Sequence, residues 1–238
     1  MIPASDQKVF PIFIGYDDVE PVAWHTLTHS IIEASSIPVA FTPVAVEHFG
    51  SFFTRDRDPK QSNSFSFTRF SVPYLMNYDG WALFMDCDMM LRVDIAELLD
   101  FAKSNPEKAL FVVQHDYTPS ETVKYLNTVQ YAYPRKNWSS FVLWNCGHPK
   151  NKAVTKEFIN TGTGLELHRF TWLEDDEIGE LPVQWNWLVG DYKDPPEDVK
   201  NVHWTIGGPY FDEYKDADFA EEWFACNERT NYCKQRED

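Results

Sequence analysis

The stretch Trp81-Ala-Leu-Phe-Met-Asp-Cys-Asp-Met-Met-Leu91 joins an apolar run to an abrupt pair of carboxylates. Residues Trp81–Met85 follow the turn signal Asp79-Gly80, and their short, apolar and aromatic composition predicts a buried β-strand. Asp86 and Asp88 end that run, and residues two apart in an extended chain project to the same side. The sequence therefore predicts two neighbouring carboxylates at the carboxyl end of a buried strand, where open α/β sheets bind their ligands.

The pair Asp86 and Asp88 is suited to binding a cation. Two carboxylates this close repel each other, and the repulsion raises a pKa unless a cation lies between them. Oxygen ligands suit hard divalent ions such as Mg²⁺ and Mn²⁺, so we expect the two aspartates to bind one of these ions. A polar turn after a strand is the alternative interpretation, because Asp-x-Asp alone is common by chance.

Composition limits the size and the possible partners of the protein. The chain has 238 residues, of which 43% are hydrophobic and 16% aromatic, so we expect residues 1–238 to form a single packed domain. The net charge of −16 argues against a nucleic acid partner, which requires a basic face, and against an anionic membrane surface. An anionic substrate would require a metal ion or a few placed Arg and Lys side chains.

The chain ends and the cysteines favour a cytoplasmic protein. Residues 1–10 lack the pattern of a signal peptide, and no apolar run approaches the length of a transmembrane segment. The cysteines Cys87, Cys146, Cys226 and Cys233 show no zinc-type C-x-x-C pairing. We interpret them as free thiols in a reducing compartment.

Predicted strands and helices alternate along the chain. Strands are predicted over residues 9–16, 39–46, 81–85, 109–115, 139–145 and 199–205, and helices from an Asp17 or Asp18 cap to Ser35 and over residues 64–76, 94–99, 121–132 and 151–160. Pro43 interrupts the second strand, which favours a position at the edge of the sheet. The alternation predicts an α/β fold with a mixed, mostly parallel sheet flanked by helices, and we expect the aromatic C-terminal residues 209–238 to pack back on it.

Five motifs lie in one order along the chain. They are Phe13-Ile-Gly-Tyr-Asp17, Thr68-Arg-Phe70 with Pro73-Tyr-Leu75, Phe84-Met-Asp-Cys-Asp88 with Val93-Asp-Ile-Ala-Glu-Leu98, Trp144-Asn-Cys-Gly147, and His203 with Gly207-Gly-Pro209. Together they resemble the motifs of GT-A glycosyltransferases. They are most similar to the family 8-like group, which includes the glycogenin and bacterial galactosyltransferase types. The resemblance spans residues 9–210 and implies a GT-A, Rossmann-like fold.

The resemblance implies a metal site that binds a nucleotide-sugar. Asp86 and Asp88 would bind Mn²⁺ or Mg²⁺, with His203 as the third protein ligand. The ion would neutralise the charge that grows on the departing nucleoside diphosphate. Tyr16 and Asp17 would lie beside the base and the ribose.

Further site residues are implied by the resemblance. Arg69 would face the nucleotide as a fixed cation, and Asn145 would lie near the donor. Asp116, at the end of its strand, would hydrogen-bond the hydroxyls of the donor sugar. The Asp-Gln element of the family is missing, but Glu174-Asp-Asp-Glu177 occupies a similar place, and there we expect Asp176 to contact the sugar.

The chain departs from the family pattern at the lysine that contacts the phosphate. Gly207-Gly-Pro209 contains no Lys, so this cation must come from Lys136, Arg135 or Arg55, or be absent. Lys136 is our candidate, because it lies in a stretch rich in groups that bind sugars or phosphate. These departures imply a divergent subfamily and leave the donor open.

The motifs predict a metal-dependent hexosyltransferase that uses a nucleotide-sugar, in first place a UDP-sugar, and a carbohydrate or other hydroxyl acceptor. The family resemblance implies retention of configuration, and the sequence offers no obvious enzymic nucleophile for a double displacement. A phosphatase or phosphotransferase of the haloacid dehalogenase type also has Asp-x-Asp after an apolar strand, although Met89 fits that motif poorly. A non-catalytic glycan-binding module on a transferase scaffold is the other alternative.

Overall fold

Two β-sheets form the framework of this computed structural model, which describes residues 7–58, 61–115, 135 and 137–231. The main sheet has the order β2-β1-β3-β6-β5-β7, with strands β1 (Phe10–Gly15), β2 (Val39–Val44), β3 (Trp81–Met85), β5 (Leu110–Val113), β6 (Phe141–Asn145) and β7 (Ile178–Leu181). The small sheet has the order β4-β9-β8, with strands β4 (Met89–Leu91), β8 (Trp187–Leu188) and β9 (Asn201–His203). The mixed α/β architecture is the predicted one.

Strand direction divides the main sheet into two ends. β1 runs parallel to β2 and β3, and β5 runs parallel to β7, whereas β6 is antiparallel to both β3 and β5. The carboxyl ends of all the other strands therefore lie together with the start of β6, and we call this the carboxyl end of the sheet. The amino end holds their first residues and the last residue of β6. The outer position of β2 confirms the edge strand that Pro43 predicts.

The main sheet carries the hydrophobic core. Every residue of β3, β5 and β6 is buried, because side chains from both faces pack against other elements. This double burial explains why these strands are continuous apolar runs rather than alternating ones. The helices are α1 (Pro21–Ala34), α2 (Val72–Leu75), α3 (Glu97–Ser104), α4 (Lys156–Thr161), α5 (Gly164–His168) and α6 (Ala220–Thr230).

Some of the predicted helices differ from the observed ones. The segment predicted as one helix over residues 64–76 contains turns, a 3-10 segment at Thr68–Ser71 and the short α2. Pro73 lies in the first turn of α2, where its missing N–H is tolerated, so it begins a helix instead of ending one. α3 extends five residues past the predicted end at Leu99. The predicted helix over 121–132 lies outside the described residues.

The C-terminal helix α6 packs on α1, as predicted for the described part of that segment. Asn227 Nδ2 donates to Thr26 Oγ1 at 2.9 Å, and Arg229 forms an ion pair with Glu33 at 2.6 Å. Trp223, on the inner face of α6, is buried. These contacts tie the end of the described chain to its first helix.

The lengths of the helices and the state of the cysteines bear on two further expectations. Among the described residues, none of the helices is both long and apolar enough to cross a bilayer. Cys87, Cys146 and Cys226 are buried free thiols, as expected, and Cys233 lies outside the described residues.

Candidate metal and nucleotide-sugar site

The segment Asp86-Cys87-Asp88 links β3 of the main sheet to β4 of the small sheet. The Asp86 N–H donates to the carbonyl of Ser140, just before β6, at 2.9 Å. Met89, the first residue of β4, is paired with His203, the last residue of β9. These backbone contacts hold the aspartates at the carboxyl end of the main sheet and bring His203 to them from a distant part of the sequence.

Asp86, Asp88 and His203 form a cluster that could hold a metal ion. One potential ligand atom from each residue lies within 4.8 Å of the other two, and His203 Nε2 is 3.3 Å from Asp88 Oδ1. Ligands about 2.1 Å from one ion are at most about 4.2 Å apart, so small side-chain adjustments suffice. Two carboxylates and one imidazole are a donor set compatible with Mn²⁺. The structure thus brings the three predicted ligands together.

Arg69 provides a buried positive charge beside this cluster. Its Nη1 lies 2.8 Å from Asp86 Oδ1 and donates to the carbonyl of Ser139 at 3.1 Å. The Cζ atom is 5.2 Å from the ring centre of Phe65 and 5.3 Å from that of Phe84. The ion pair and the two rings fix the guanidinium at the carboxyl end, where it offsets part of the negative charge of the aspartates.

A chain of buried polar side chains leads away from His203. His203 Nδ1 is 2.8 Å from Asn186 Oδ1, and Asn186 Nδ2 lies 3.0 Å from His115 Nε2 and 2.9 Å from Ser140 Oγ. His115 Nδ1 is in turn 2.7 Å from the hydroxyl of Tyr192. Burial, and secondly the charge of His203, lower the pKa of His115 to about 3, so His115 is neutral at pH 7.

The sequence does not mark Asn186 as a site residue, although a signal exists. Asn186 lies shortly after β7, whose carboxyl end is at the same end of the sheet as that of β3. Its side chain has no exposed surface. A polar residue just beyond a buried strand is the same kind of signal that identifies Asp86.

A second buried histidine, His168 of α5, lies close to this site. Its Nδ1 is 2.7 Å from Ser139 Oγ, and its ring packs edge-on against Phe70 with the ring centres 5.0 Å apart. Burial, and secondly the charge of Arg69, lower the pKa of His168 to about 3. His168 is therefore a neutral hydrogen-bonding group at pH 7.

Behind the aspartate pair, Cys87 faces a buried acidic side chain. Its thiol donates to Glu20 Oε1 at 3.5 Å, and the hydroxyl of Tyr210 donates to the other carboxylate oxygen. Burial, and secondly the charge of Asp88, raise the pKa of Glu20 to about 8. Burial also raises the pKa of Cys87, which keeps it a thiol. Cys87 therefore anchors the linking segment to the core.

Tyr16 and Asp17 follow β1 at the carboxyl end of the sheet, next to β3. Asp17 is buried, and its carboxylate accepts from the N–H of Ser64 at 2.9 Å and from that of Val19 at 3.2 Å. It therefore closes a loop and does not cap α1. The predicted Asp17 or Asp18 cap is wrong, because the residue at the cap position is Glu20, whose side chain makes no capping hydrogen bond.

Asn145 lies at the amino end of the sheet, the opposite end from Asp86 and Asp88, so its predicted place near the donor stays a prediction that this position does not favour. It pairs with Trp81, the first residue of β3, whereas Asp86 follows the last one. Its buried amide donates to the carbonyls of Pro106 at 3.0 Å and Lys108 at 2.9 Å. The physical reason is the reversed direction of β6, which carries its last residue away from the carboxyl ends of the other strands.

Asp176 also lies at the amino end, so its predicted role as a sugar contact stays a prediction that this position does not favour. It belongs to the 3-10 segment Asp175–Glu177, which immediately precedes β7, and β7 runs parallel to β5. Its side chain is exposed, and its carbonyl accepts from Lys108 Nζ at 2.6 Å. An acidic run that begins a strand lies at the opposite end of the sheet from one that follows a strand.

The remaining predicted residues are Asp116 and Lys136, which lie outside the described residues, so their roles stay predictions. Of the other proposed cations, Arg55 donates to two carbonyls at the end of α4, at 3.0 and 2.7 Å. Arg135 hydrogen-bonds the carbonyl of Arg169 and pairs with Asp175. Both arginines hold parts of the chain together and so do not fit the phosphate-binding role.

Solved glycosyltransferase structures share this architecture. WbbM, described as a bifunctional glycosyltransferase, has a TM-score of 0.66 at 14% identity, with 94% of this chain and 50% of that chain covered. GlyE of Streptococcus pneumoniae TIGR4 has a TM-score of 0.62 at 14% identity, with 93% and 60% covered. The galactosyltransferase LgtC, solved with donor and acceptor sugar analogs, has a TM-score of 0.59 at 11% identity, with 95% and 98% covered. This chain therefore has the GT-A fold, and it spans about half of the WbbM chain.

Sequence comparison identifies a relative in a plant. No protein-family model matches the chain. Protein CDI of Arabidopsis thaliana is 49% identical over 238 residues, which covers 98% of this chain and 90% of that protein. Identity at this level over nearly the whole length means that the two chains share their fold and most of their core. This GT-A-fold chain therefore belongs to the family of Protein CDI.

Proposed function

We propose that this protein is a metal-dependent glycosyltransferase that moves a sugar from a nucleotide-sugar to a hydroxyl group of an acceptor. The observation that carries the proposal is the cluster of Asp86, Asp88 and His203 at the carboxyl end of a GT-A sheet. The structural likeness to LgtC, which was solved with donor and acceptor sugar analogs, supports the same class of substrate. The family 8-like assignment remains a prediction.

The donor set of the cluster fits a divalent ion. Asp86, Asp88 and His203 would hold Mn²⁺ or Mg²⁺, since their carboxylate and imidazole groups already converge. Such an ion supplies positive charge to the diphosphate of the donor and to the nucleoside diphosphate as it leaves. The fit is chemically reasonable because, without a cation, two carboxylates would repel a diphosphate.

The protein's own side chains would prepare the site. Arg69 holds Asp86 in place, and its buried guanidinium would lie next to the nucleotide. Tyr16 and Asp17 follow the neighbouring strand β1, and base and ribose would bind on this side of the cluster. Because Asp17 uses its carboxylate to close the loop, its contribution would be to fix the shape of this pocket.

The finer features of the reaction rest on the sequence. We propose a UDP-hexose as donor and a carbohydrate or other hydroxyl compound as acceptor, in a cytoplasmic protein. Retention by front-face attack is the proposed stereochemical course. The position of Asp176 at the amino end is compatible with it, because this carboxylate is too far from the cluster to act as a nucleophile.

A panel of nucleotide-sugars tests the proposal. The purified protein is incubated with UDP-, GDP- and ADP-sugars, with Mn²⁺ or with a chelator, and release of nucleoside diphosphate is measured. We expect one donor to be turned over only with the metal, and Asp88→Asn to lose this activity. Asp176→Asn is the matched control, because it makes the same change to an aspartate at the other end of the sheet, and it should keep full activity.

Two further assays, with a generic phosphate ester and with glycans, could overturn the proposal. Turnover of a generic phosphate ester that is lost in Asp86→Asn would indicate the phosphatase alternative. Glycan binding that persists in Asp88→Asn with the metal chelated, together with no turnover of any donor, would indicate a non-catalytic binding module.

A further inference from the structure

We propose that Asn186 is a positioning residue that holds His203 in the tautomer able to bind the metal. The inference rests on the proposed metal site and adds a residue to it. Asn186 is completely buried, and it touches His203 on the side of the ring away from Asp88. Its role would be to decide which ring nitrogen carries the proton.

The orientation of the Asn186 amide follows from Ser140. The Ser140 hydroxyl donates its proton to the carbonyl of Asn137 at 2.7 Å. Ser140 Oγ can therefore only accept from Asn186, so the group 2.9 Å away must be the NH₂ group Nδ2. The amide oxygen Oδ1 then faces His203 Nδ1 at 2.8 Å, which is the arrangement observed.

An amide oxygen only accepts, so its partner Nδ1 must carry the proton of a neutral His203 ring. The lone pair then lies on Nε2, which faces Asp88 Oδ1 at 3.3 Å and the centre of the cluster. Without Asn186, the Asp88 carboxylate would be the stronger acceptor and would draw the proton to Nε2. A protonated Nε2 has no lone pair for a metal, so Asn186 opposes the tautomer that the site would otherwise favour.

Two more side chains hold the amide in this orientation. Asn186 Nδ2 also donates to His115 Nε2 at 3.0 Å, and His115 Nδ1 lies 2.7 Å from the hydroxyl of Tyr192. With Nε2 as the acceptor, the neutral His115 ring carries its proton on Nδ1 and donates it to Tyr192. The amide thus makes three hydrogen bonds among buried side chains, and turning it over would place its oxygen against Ser140 Oγ, whose only proton is already donated to Asn137.

Nuclear magnetic resonance of the metal-free protein can show directly which ring nitrogen of His203 carries the proton. In protein with ¹⁵N-labelled histidine, the shifts of the two ring nitrogens show which one is protonated, and His203→Ala assigns the signals. We expect the proton on Nδ1 in the wild type and on Nε2 in Asn186→Leu, which keeps a similar volume but accepts no hydrogen bond. Ser140→Ala removes the acceptor that orients the amide and should yield a mixture of the two tautomers.

Titration calorimetry with Mn²⁺ gives the second measurement. Removing an outer partner of a metal-binding histidine weakens metal affinity by about 10- to 100-fold, so we expect this loss in Asn186→Leu. Asn186→Asp keeps an oxygen facing Nδ1 and should restore the affinity to within about threefold of the wild type if the role is positional. A substitution that only loosens packing would not be rescued by the carboxylate.

The outcomes separate this inference from the proposed function. If wild-type protein binds no Mn²⁺, the metal site itself fails, whatever the tautomer. If the wild type binds Mn²⁺ and a folded Asn186→Leu retains both the Nδ1 proton and the affinity, the positioning role is overturned. Near-ultraviolet circular dichroism confirms folding, and should Asn186→Leu not fold, an unchanged tautomer in Ser140→Ala would equally overturn the inference.

Discussion

The two ends of the main sheet carry similar polar residues whose side chains have different partners. At the carboxyl end, Asp86, Asp88 and His203 direct their side chains towards one another. At the amino end, the buried Asn145 side chain donates its amide to the backbone carbonyls of Pro106 and Lys108. The difference teaches that a polar residue beside a buried strand is a ligand candidate only when strand direction brings it to other such residues.

The largest expected effect is at the carboxyl end. Asp88→Asn should reduce metal-dependent turnover by about 100-fold or more, because the variant lacks a ligand of the ion that would stabilise the departing negative charge. The same variant should be as stable as the wild type, or more so, since it removes like-charge repulsion with Asp86. Initial rates at saturating Mn²⁺ and urea denaturation measure the two quantities. A large loss of stability would show that Asp88 is a structural residue like Asn145.

The converse is expected at the amino end. Asn145→Ala removes a buried amide that donates to the carbonyls of Pro106 and Lys108, and a typical hydrogen bond contributes about 0.5–1.5 kcal/mol, so losing two should lower the free energy of unfolding by about 1–3 kcal/mol. Mn²⁺ affinity per folded molecule should not change. Urea denaturation and calorimetry check both parts, and weaker metal binding by fully folded protein would contradict the contrast between the ends.

Acid should weaken the carboxyl end through its buried histidines. The pKa of His168 is about 3 in the folded state, below its ordinary value of 6.5, so between these values the unfolded chain binds a proton that the folded protein does not. The contribution of His168 to stability is therefore constant above pH 6.5 and falls below it by up to about 1.4 kcal/mol per pH unit. Urea denaturation at pH 7 and pH 5 should show a smaller difference for His168→Gln than for the wild type. Equal differences would mean that His168 is not a source of the acid sensitivity.

The smallest effect is expected for Asp176→Asn. The Asp176 side chain is exposed at the amino end, and the hydrogen bond from Lys108 is accepted by the backbone carbonyl of Asp176. The free energy of unfolding should therefore stay within about 0.5 kcal/mol of the wild type. Metal affinity should be unchanged. A loss of sugar transfer in this variant, measured with the donor found in the panel, would restore Asp176 as a site residue and contradict the topology argument.

Local sequence predicts the features that depend on near neighbours. The apolar run before Asp86 identifies β3 and its polar end, and Pro43 places β2 at the edge of the sheet. His203 could be added only through a motif, because nothing near it in sequence shows that β9 pairs with β4. The identity of the candidate ligands could therefore be predicted from the sequence, whereas their spatial arrangement could not.

The predictions that the structure does not favour, those for Asn145 and Asp176, have a common physical cause. Asn145 and Asp176 each lie next to a real strand, but a pattern of apolar residues carries no information on strand direction. β6 runs against its neighbours, and the acidic run precedes β7 instead of following it. Asn186 was hidden for a related reason, because whether a polar side chain is buried depends on elements far away in the sequence.

The pairing of β4 with β9 has a consequence for the evolution and engineering of this family. Side chains along a strand alternate between faces, so a shift of β9 by one position would replace the imidazole by Val202 or Trp204. An insertion or deletion in the chain leading to β9 could thus disable the protein even if Asp86, Asp88 and His203 were all unchanged in sequence. Alignments of relatives should be judged by the length of this connection as well as by the identity of the ligands.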